Sequence, residues 1–115
     1  MDVHHIALAV QDCEGSARFY RDLLGLPEIQ RQMDDAGVKS IWLEAGDAVL
    51  MLERSLRGKG GAGGSGHLLC FAADDLERWQ ARLREAGVSV DDRTPNTLYI
   101  CDPDGHRVGL SVYRF

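Results

Sequence analysis

Residues 4–25, HHIALAVQDCEGSARFYRDLLG, decide the fold, because their pattern returns at 67–87 as HLLCFAADDLERWQARLREAG. In each copy a histidine opens a short apolar run, an aspartate follows, and a stretch of helical spacing closes on a glycine. His5 pairs with His67, Asp12 with Asp74 and Gly25 with Gly87, each 62 positions apart. Self-similarity in fixed register marks two copies of one small unit. The two histidines are therefore expected to serve one site.

Working outward, Val3 to Val10 reads as a strand, being short, apolar and bounded by polar residues. Asp12 is a suitable N-cap, and Ala17, Tyr20, Leu23 and Leu24 recur at helical spacing. Gly25 stands where a left-handed C-cap belongs. Strands are expected at Leu26–Met33, Val38–Ala45 and Ala48–Glu53, joined by turns at Asp34–Gly37 and Gly46–Asp47. The second copy repeats the order. His67–Ala72 is a strand, and Asp74-Asp75-Leu76-Glu77 opens a helix with Leu76, Trp79, Leu83 and Ala86 along one face. Val88–Val90, Thr97–Cys101 and Arg107–Tyr113 come next as strands, with Asp102-Pro103-Asp104-Gly105 as a tight turn before the last. The fold class is α+β: two βαβββ modules, 1–57 and 67–115, within one domain spanning 1–115. Residues 58–66 hold six glycines among nine positions and read as a flexible linker. The Walker pattern that would make them a phosphate loop is absent.

The chain of 115 residues is long enough to bury roughly two-thirds of its unfolded surface without disulfides. A formal net charge of −5 and the lack of a basic run argue against a nucleic-acid surface. No apolar run approaches the ~20 residues of a membrane span, and the N-terminus lacks the charged and apolar regions of a signal peptide. Three cysteines, Cys13, Cys70 and Cys101, without CxxC spacing, are expected to be reduced thiols in a cytoplasmic protein.

The runs HHIALAVQDCEGSARFYRDLLGLPE, HLLCFAADDLERWQARLREAGV and YICDPDGHRVGLSVY resemble the vicinal oxygen chelate superfamily, which includes glyoxalases, bleomycin and fosfomycin resistance proteins, and extradiol dioxygenases. The resemblance covers essentially the whole chain. It implies that each module curls its sheet into a half-cup, and that two half-cups enclose a site within one chain or across a homodimer. In the metal-dependent members the first strand of each module supplies a histidine or similar ligand, and the fourth supplies a glutamate or equivalent. The bound ion then acts as a Lewis acid on substrate oxygens. By this resemblance His5 and His67 fall on the first-strand ligand positions. The carboxylate positions fall on Met51 and Gly109, and neither residue is a carboxylate.

Two neutral imidazoles are too few donors for an ion that usually takes three protein ligands. No divalent cofactor is therefore expected, and an ion held by His5 and His67 is the alternative. Glu53 lies two positions beyond Met51 on the same strand face and is the candidate for a relocated carboxylate. The leading expectation is an organic ligand held among His5, Trp42, Met51, Glu53, His67, Tyr99, Arg107, Gly109 and Ser111. Met51 makes the floor apolar and adaptable, Gly109 is expected to enlarge the space, and Arg107, Gly109 and Ser111 share one face of the last strand. The runner-up is a metal-dependent lyase, isomerase or transferase of the glyoxalase type. A domain kept for protein association is the third reading. Asp102 and Asp104 read as turn formers, and His4 should face away from His5.

Overall fold

The structure is a computed structural model, and it describes residues 1–58 and 66–115. The glycine-rich run at 59–65 lies outside the described residues. The chain divides into two compact units, Met1–Lys59 and Gly60–Phe115. Each is a βαβββ module, so the fold is the α+β arrangement that the repeat implied. No helix among the described residues is long and apolar enough to cross a membrane.

Unit one runs β1 (His5–Ala9), α1 (Cys13–Ala17) with a π-helical continuation over Arg18–Leu23, β2 (Glu28–Asp34), β3 (Gly37–Ala45) and β4 (Ala48–Glu53). The sheet order is β1-β4-β3-β2, with β1 parallel to β4 and the other pairs antiparallel. Alternation sorts the side chains. Ile41, Leu43, Leu50 and Leu52 are almost fully buried on the helix side, beneath Cys13, Ala17 and Tyr20. The residues between them face the other way. Unit two runs β5 (Leu69–Ala72), α2 (Leu76–Glu85), β6 (Asp92–Arg93), β7 (Thr97–Cys101) and β8 (Arg107–Ser111), in the order β5-β8-β7-β6. Its core repeats the theme with Leu76, Leu83, Leu98, Ile100, Val108 and Leu110.

Several boundaries differ from the sequence reading. Val88–Val90 is not a strand. The chain there closes α2, where the Val88 N–H donates to the Leu83 carbonyl at 2.9 Å, and pairing resumes only at Asp92–Arg93. His67 lies outside β5, which starts at Leu69, and β8 stops at Ser111 rather than Tyr113. Asp75, not Asp74, caps α2: its Oδ1 accepts from the backbone N–H groups of Glu77 at 3.1 Å and Arg78 at 3.2 Å. The Asp102 turn forms as expected. It is closed by Gly105 at φ +85°, and the Asp102 carboxylate accepts from the N–H groups of Asp104 and His106.

The repeat itself is offset differently from the marker spacing. The Val10 N–H donates to Glu53 at the end of β1, and the Ala73 N–H donates to Ser111 at the end of β5. Ile6 lies opposite the buried Leu50, and Leu69 opposite the buried Val108. The strands and N-cap positions are thus related by 63 positions, as from Val10 to Ala73 or Asp12 to Asp75, although the Asp12 side chain makes no capping hydrogen bond. The closing glycines Gly25 and Gly87 are 62 apart. Unit one carries one extra helical residue, and the π-helical turn absorbs it: the Leu24 N–H reaches back five residues to the Phe19 carbonyl at 3.0 Å. In this register His5 corresponds to Leu68, and His67 to His4.

Unit one is tied together outside its core by Glu28. Its carboxylate accepts from Arg31 Nε and Nη2, both at 2.8 Å, and from Arg21 Nη1 at 2.7 Å, while Arg31 also pairs with Glu14. Arg31, helped by Arg21, holds the Glu28 carboxyl down from 4.5 to about 2. A depressed native pKa means that the unfolded chain binds the proton first, so this contribution is complete above about 4.5 and is lost as pH falls toward 2. Urea unfolding across that window is expected to show stability falling with pH in the native chain. The slope should be visibly flatter in Glu28→Gln, and an identical slope in both proteins would refute this assignment.

Candidate functional site

The outward face of the unit-one sheet is built in rows by its register. His5, Val49 and Glu44 form one row; Ala7, Met51, Trp42 and Gln30 the next; Ala9, Glu53, Ser40 and Gln32 the third. Met51 therefore lies between Ala7 and Trp42. The two alanines leave the β1 side of the floor low, and the Trp42 Nε1–H donates to the buried Ser40 hydroxyl at 2.6 Å, which fixes the indole on its strand. Trp42, Met51 and Glu53 are half-buried, whereas His5 and Glu44 are exposed. His5 is engaged by its neighbour: the Nδ1 atoms of His4 and His5 are 2.8 Å apart, with the rings edge to face at 5.1 Å. Only Nε2 of His5 is left to meet a ligand. His4 is a partner of His5, not a residue turned away from it.

On unit two the outward face carries Cys70, Arg107, Gly109, Ser111, Thr97, Tyr99 and Cys101. Arg107, Gly109 and Ser111 share a face as expected. The Arg107 guanidinium lies over the Tyr99 ring, 5.6 Å from its centroid, and the Thr97 hydroxyl donates to Ser111 Oγ at 2.9 Å. Gly109 does not open a void. A Cβ at that position would lie 2.9 Å from Cys70 Sγ, so the thiol fills the space that the missing side chain leaves. Cys70 is a site-face residue that sequence reasoning passed over; the register of β5 against β8 is what identifies it. His67 precedes β5 and stands outside the strand ladder of its sheet.

These donors do not fit a divalent ion of the metal-dependent kind. Met51 and Gly109 offer no carboxylate, and no group of three His, Cys, Asp or Glu side chains among the described residues is placed to hold a metal. Glu53 does not restore a site with His5. His5 is level with Val49, four residues from Glu53 along β4, roughly 13 Å at strand rise. A metal–oxygen or metal–nitrogen bond is about 2 Å. Closing that backbone separation would fall to the two side chains, and they belong to no group of three metal-competent side chains among the described residues.

The thiols are not poised as nucleophiles. Cys13 donates to the carbonyls of Lys39 and Leu52, and burial, with Glu53 adding to it, raises its pKa. Burial also raises Cys70, and the Asp91 carboxylate that accepts from Cys101 raises that thiol. A separate cleft of about 470 Å³ is lined by Gln80, Arg84 and Gly87 to Val90, beyond the end of α2. None of the expected site residues lines it.

The sequence profile of the Glyoxalase/Bleomycin resistance protein/Dioxygenase superfamily matches residues 2–110. The chain belongs to this superfamily. Among its relatives, glutathione transferase FosA of Serratia marcescens is 29% identical over 117 residues, covering 96% of this chain and 79% of the relative. Two solved structures are similar throughout. Lactoylglutathione lyase from Agrobacterium tumefaciens has 27% identity and a TM-score of 0.72, covering 96% of this chain and 92% of the other. TnmS3, an antibiotic binding protein from Streptomyces sp. CB03234, has 28% identity and a TM-score of 0.74, covering 96% and 94%. This glyoxalase-superfamily chain thus resembles both enzymes and a binding protein, and the choice between them rests on its own residues.

Proposed function

We propose that this glyoxalase-superfamily protein binds an organic small molecule on the outward faces of its sheets and holds it without a metal ion. One observation carries the reading: Met51 lies between Ala7 and Trp42 in its row of the sheet, at a position where the resemblance in sequence places a carboxylate in metal-dependent members. The Cys70 thiol over Gly109 supports it from unit two. A thioether and an indole make a floor suited to apolar or aromatic surface. The ligand set that we propose is His5, Trp42, Met51 and Glu53 on unit one, and Tyr99, Arg107, Gly109 and Ser111 on unit two; His67, expected from the sequence, belongs to the proposal only as a flanking residue. Likeness to an antibiotic binding protein is in keeping with sequestration of a drug or metabolite. We further propose a cytoplasmic homodimer.

Titration of metal-stripped protein with Zn²⁺, Ni²⁺ and Mn²⁺, beside a His5→Ala variant, tests the metal-free reading. Binding no tighter than about 10 μM, or −7 kcal/mol, and unchanged in His5→Ala, is the expected result. A submicromolar site abolished by His5→Ala would replace this reading with a metal-dependent enzyme.

A further inference from the structure

We infer that the ligand of the unit-one face is an organic cation, an amine or iminium group carried on an apolar or aromatic body. This inference rests on the small-molecule reading above and names the chemical class that the face selects. Strand alternation has sorted the charges of this sheet. Arg31 lies opposite Ile41 in the register, and Lys39 shares the parity of Ile41 and Leu43, so both belong to the helix side. Arg31 is neutralised there by Glu14 and Glu28. The outward rows carry two carboxylates, Glu44 and Glu53, and the His5 imidazole. Arg54, the residue after Glu53, is turned to Asp34 and to the Val38 carbonyl. Neither outward carboxylate has a cationic partner among the described residues.

The two carboxylates are not adjacent to one another. Trp42 and Met51 lie midway between them, roughly 7 Å from each at two residues of strand rise. An aromatic ring and a thioether thus form a floor bounded at both ends by negative charge, with the short side chains of Ala7 and Ala9 along β1. Half-burial of Trp42 and Glu53 strengthens the attraction, because a partly desolvated carboxylate and an indole face both favour a cation over a neutral or anionic group. An anion of the same shape would meet two like charges.

Two xanthene dyes of matched body, cationic rhodamine 6G and anionic fluorescein, provide the probe, read by fluorescence polarisation on the full chain. Rhodamine 6G is expected to bind about tenfold or more tighter than fluorescein at low salt, with the gap shrinking as ionic strength rises. Glu44→Gln/Glu53→Gln should bring the two dyes within about twofold, while Trp42→Ala weakens both. Circular dichroism checks that each variant is folded. Fluorescein binding as well as or better than rhodamine overturns the cation assignment; if Trp42→Ala still weakens it, the small-molecule reading survives. A cation preference that the double glutamine variant retains overturns it too, as does binding of neither dye. The metal titration then judges the underlying reading separately.

Discussion

Leu52→Ala is expected to destabilise the protein by about 2–5 kcal/mol, the range for truncating a leucine in a core that cannot collapse around the gap. Leu52 is fully buried and lies between Leu8 on β1 and Ile41 on β3. Its carbonyl also accepts from the Cys13 thiol at 3.6 Å, so α1 rests on this part of β4. The neighbouring Met51→Ala provides the contrast. Met51 is half-buried on the opposite face, and its truncation should lower stability by less than about 1 kcal/mol. Urea midpoints at constant m-value measure both. Equal losses at the two positions would mean that the faces of β4 have been assigned wrongly, and with them the whole outward floor.

Gly109→Ala is expected to destabilise by about 1–2 kcal/mol in the native background and to become neutral or slightly stabilising beside Cys70→Ala. Two effects compete at this position. Replacing a strand glycine by alanine gains about 0.5–1 kcal/mol through lost freedom of the unfolded chain. Against that stands a Cβ placed 2.9 Å from Cys70 Sγ and 3.4 Å from Cys70 Cβ, an overlap of the kind that costs about 1–3 kcal/mol. Overlap wins while the thiol is present. With Cys70→Ala the sulfur is gone, the approaches to Cys70 Cβ at 3.4 Å and Thr97 Cγ2 at 3.5 Å remain as ordinary contacts, and the backbone gain decides the sign. A double-mutant cycle read by thermal or urea unfolding gives the coupling directly. Additive losses would mean that the thiol swings aside freely and that Gly109 is held for another reason.

The sequence disclosed the architecture because strand parity and helix caps are local signals. Ala48–Glu53 and Thr97–Cys101 were legible to the residue, since their alternating buried positions and flanking turns leave no other reading. The register between the two copies was not. Asp74 and Asp75 are both competent caps, and choosing the first makes the copies agree at 62 throughout. Spacing from Asp75 to Gly87 is one residue shorter than from Asp12 to Gly25, and that was the available sign of an inserted helical residue. The Cys70–Gly109 contact depends on which residues lie opposite each other across parallel strands, and strand pairing is invisible to composition. The strand assignments of His67 and of Val88–Val90 failed for a related reason: an apolar stretch qualifies as a strand only when a neighbour's ladder reaches it.

The wide turn at Arg18–Leu23 also determines where this protein can tolerate a change in length. One additional residue in a helix rotates the downstream chain by about 100°, and a single wide turn can take up that rotation before the chain re-enters the sheet. One additional residue within β4 would exchange its two faces, sending Leu50 and Leu52 outward and Met51 and Glu53 into the core. Insertions and deletions should therefore survive in the helical segment and be eliminated from the strands. Alignment of the two halves slips at that point, while the order of polar and apolar positions across each sheet is preserved.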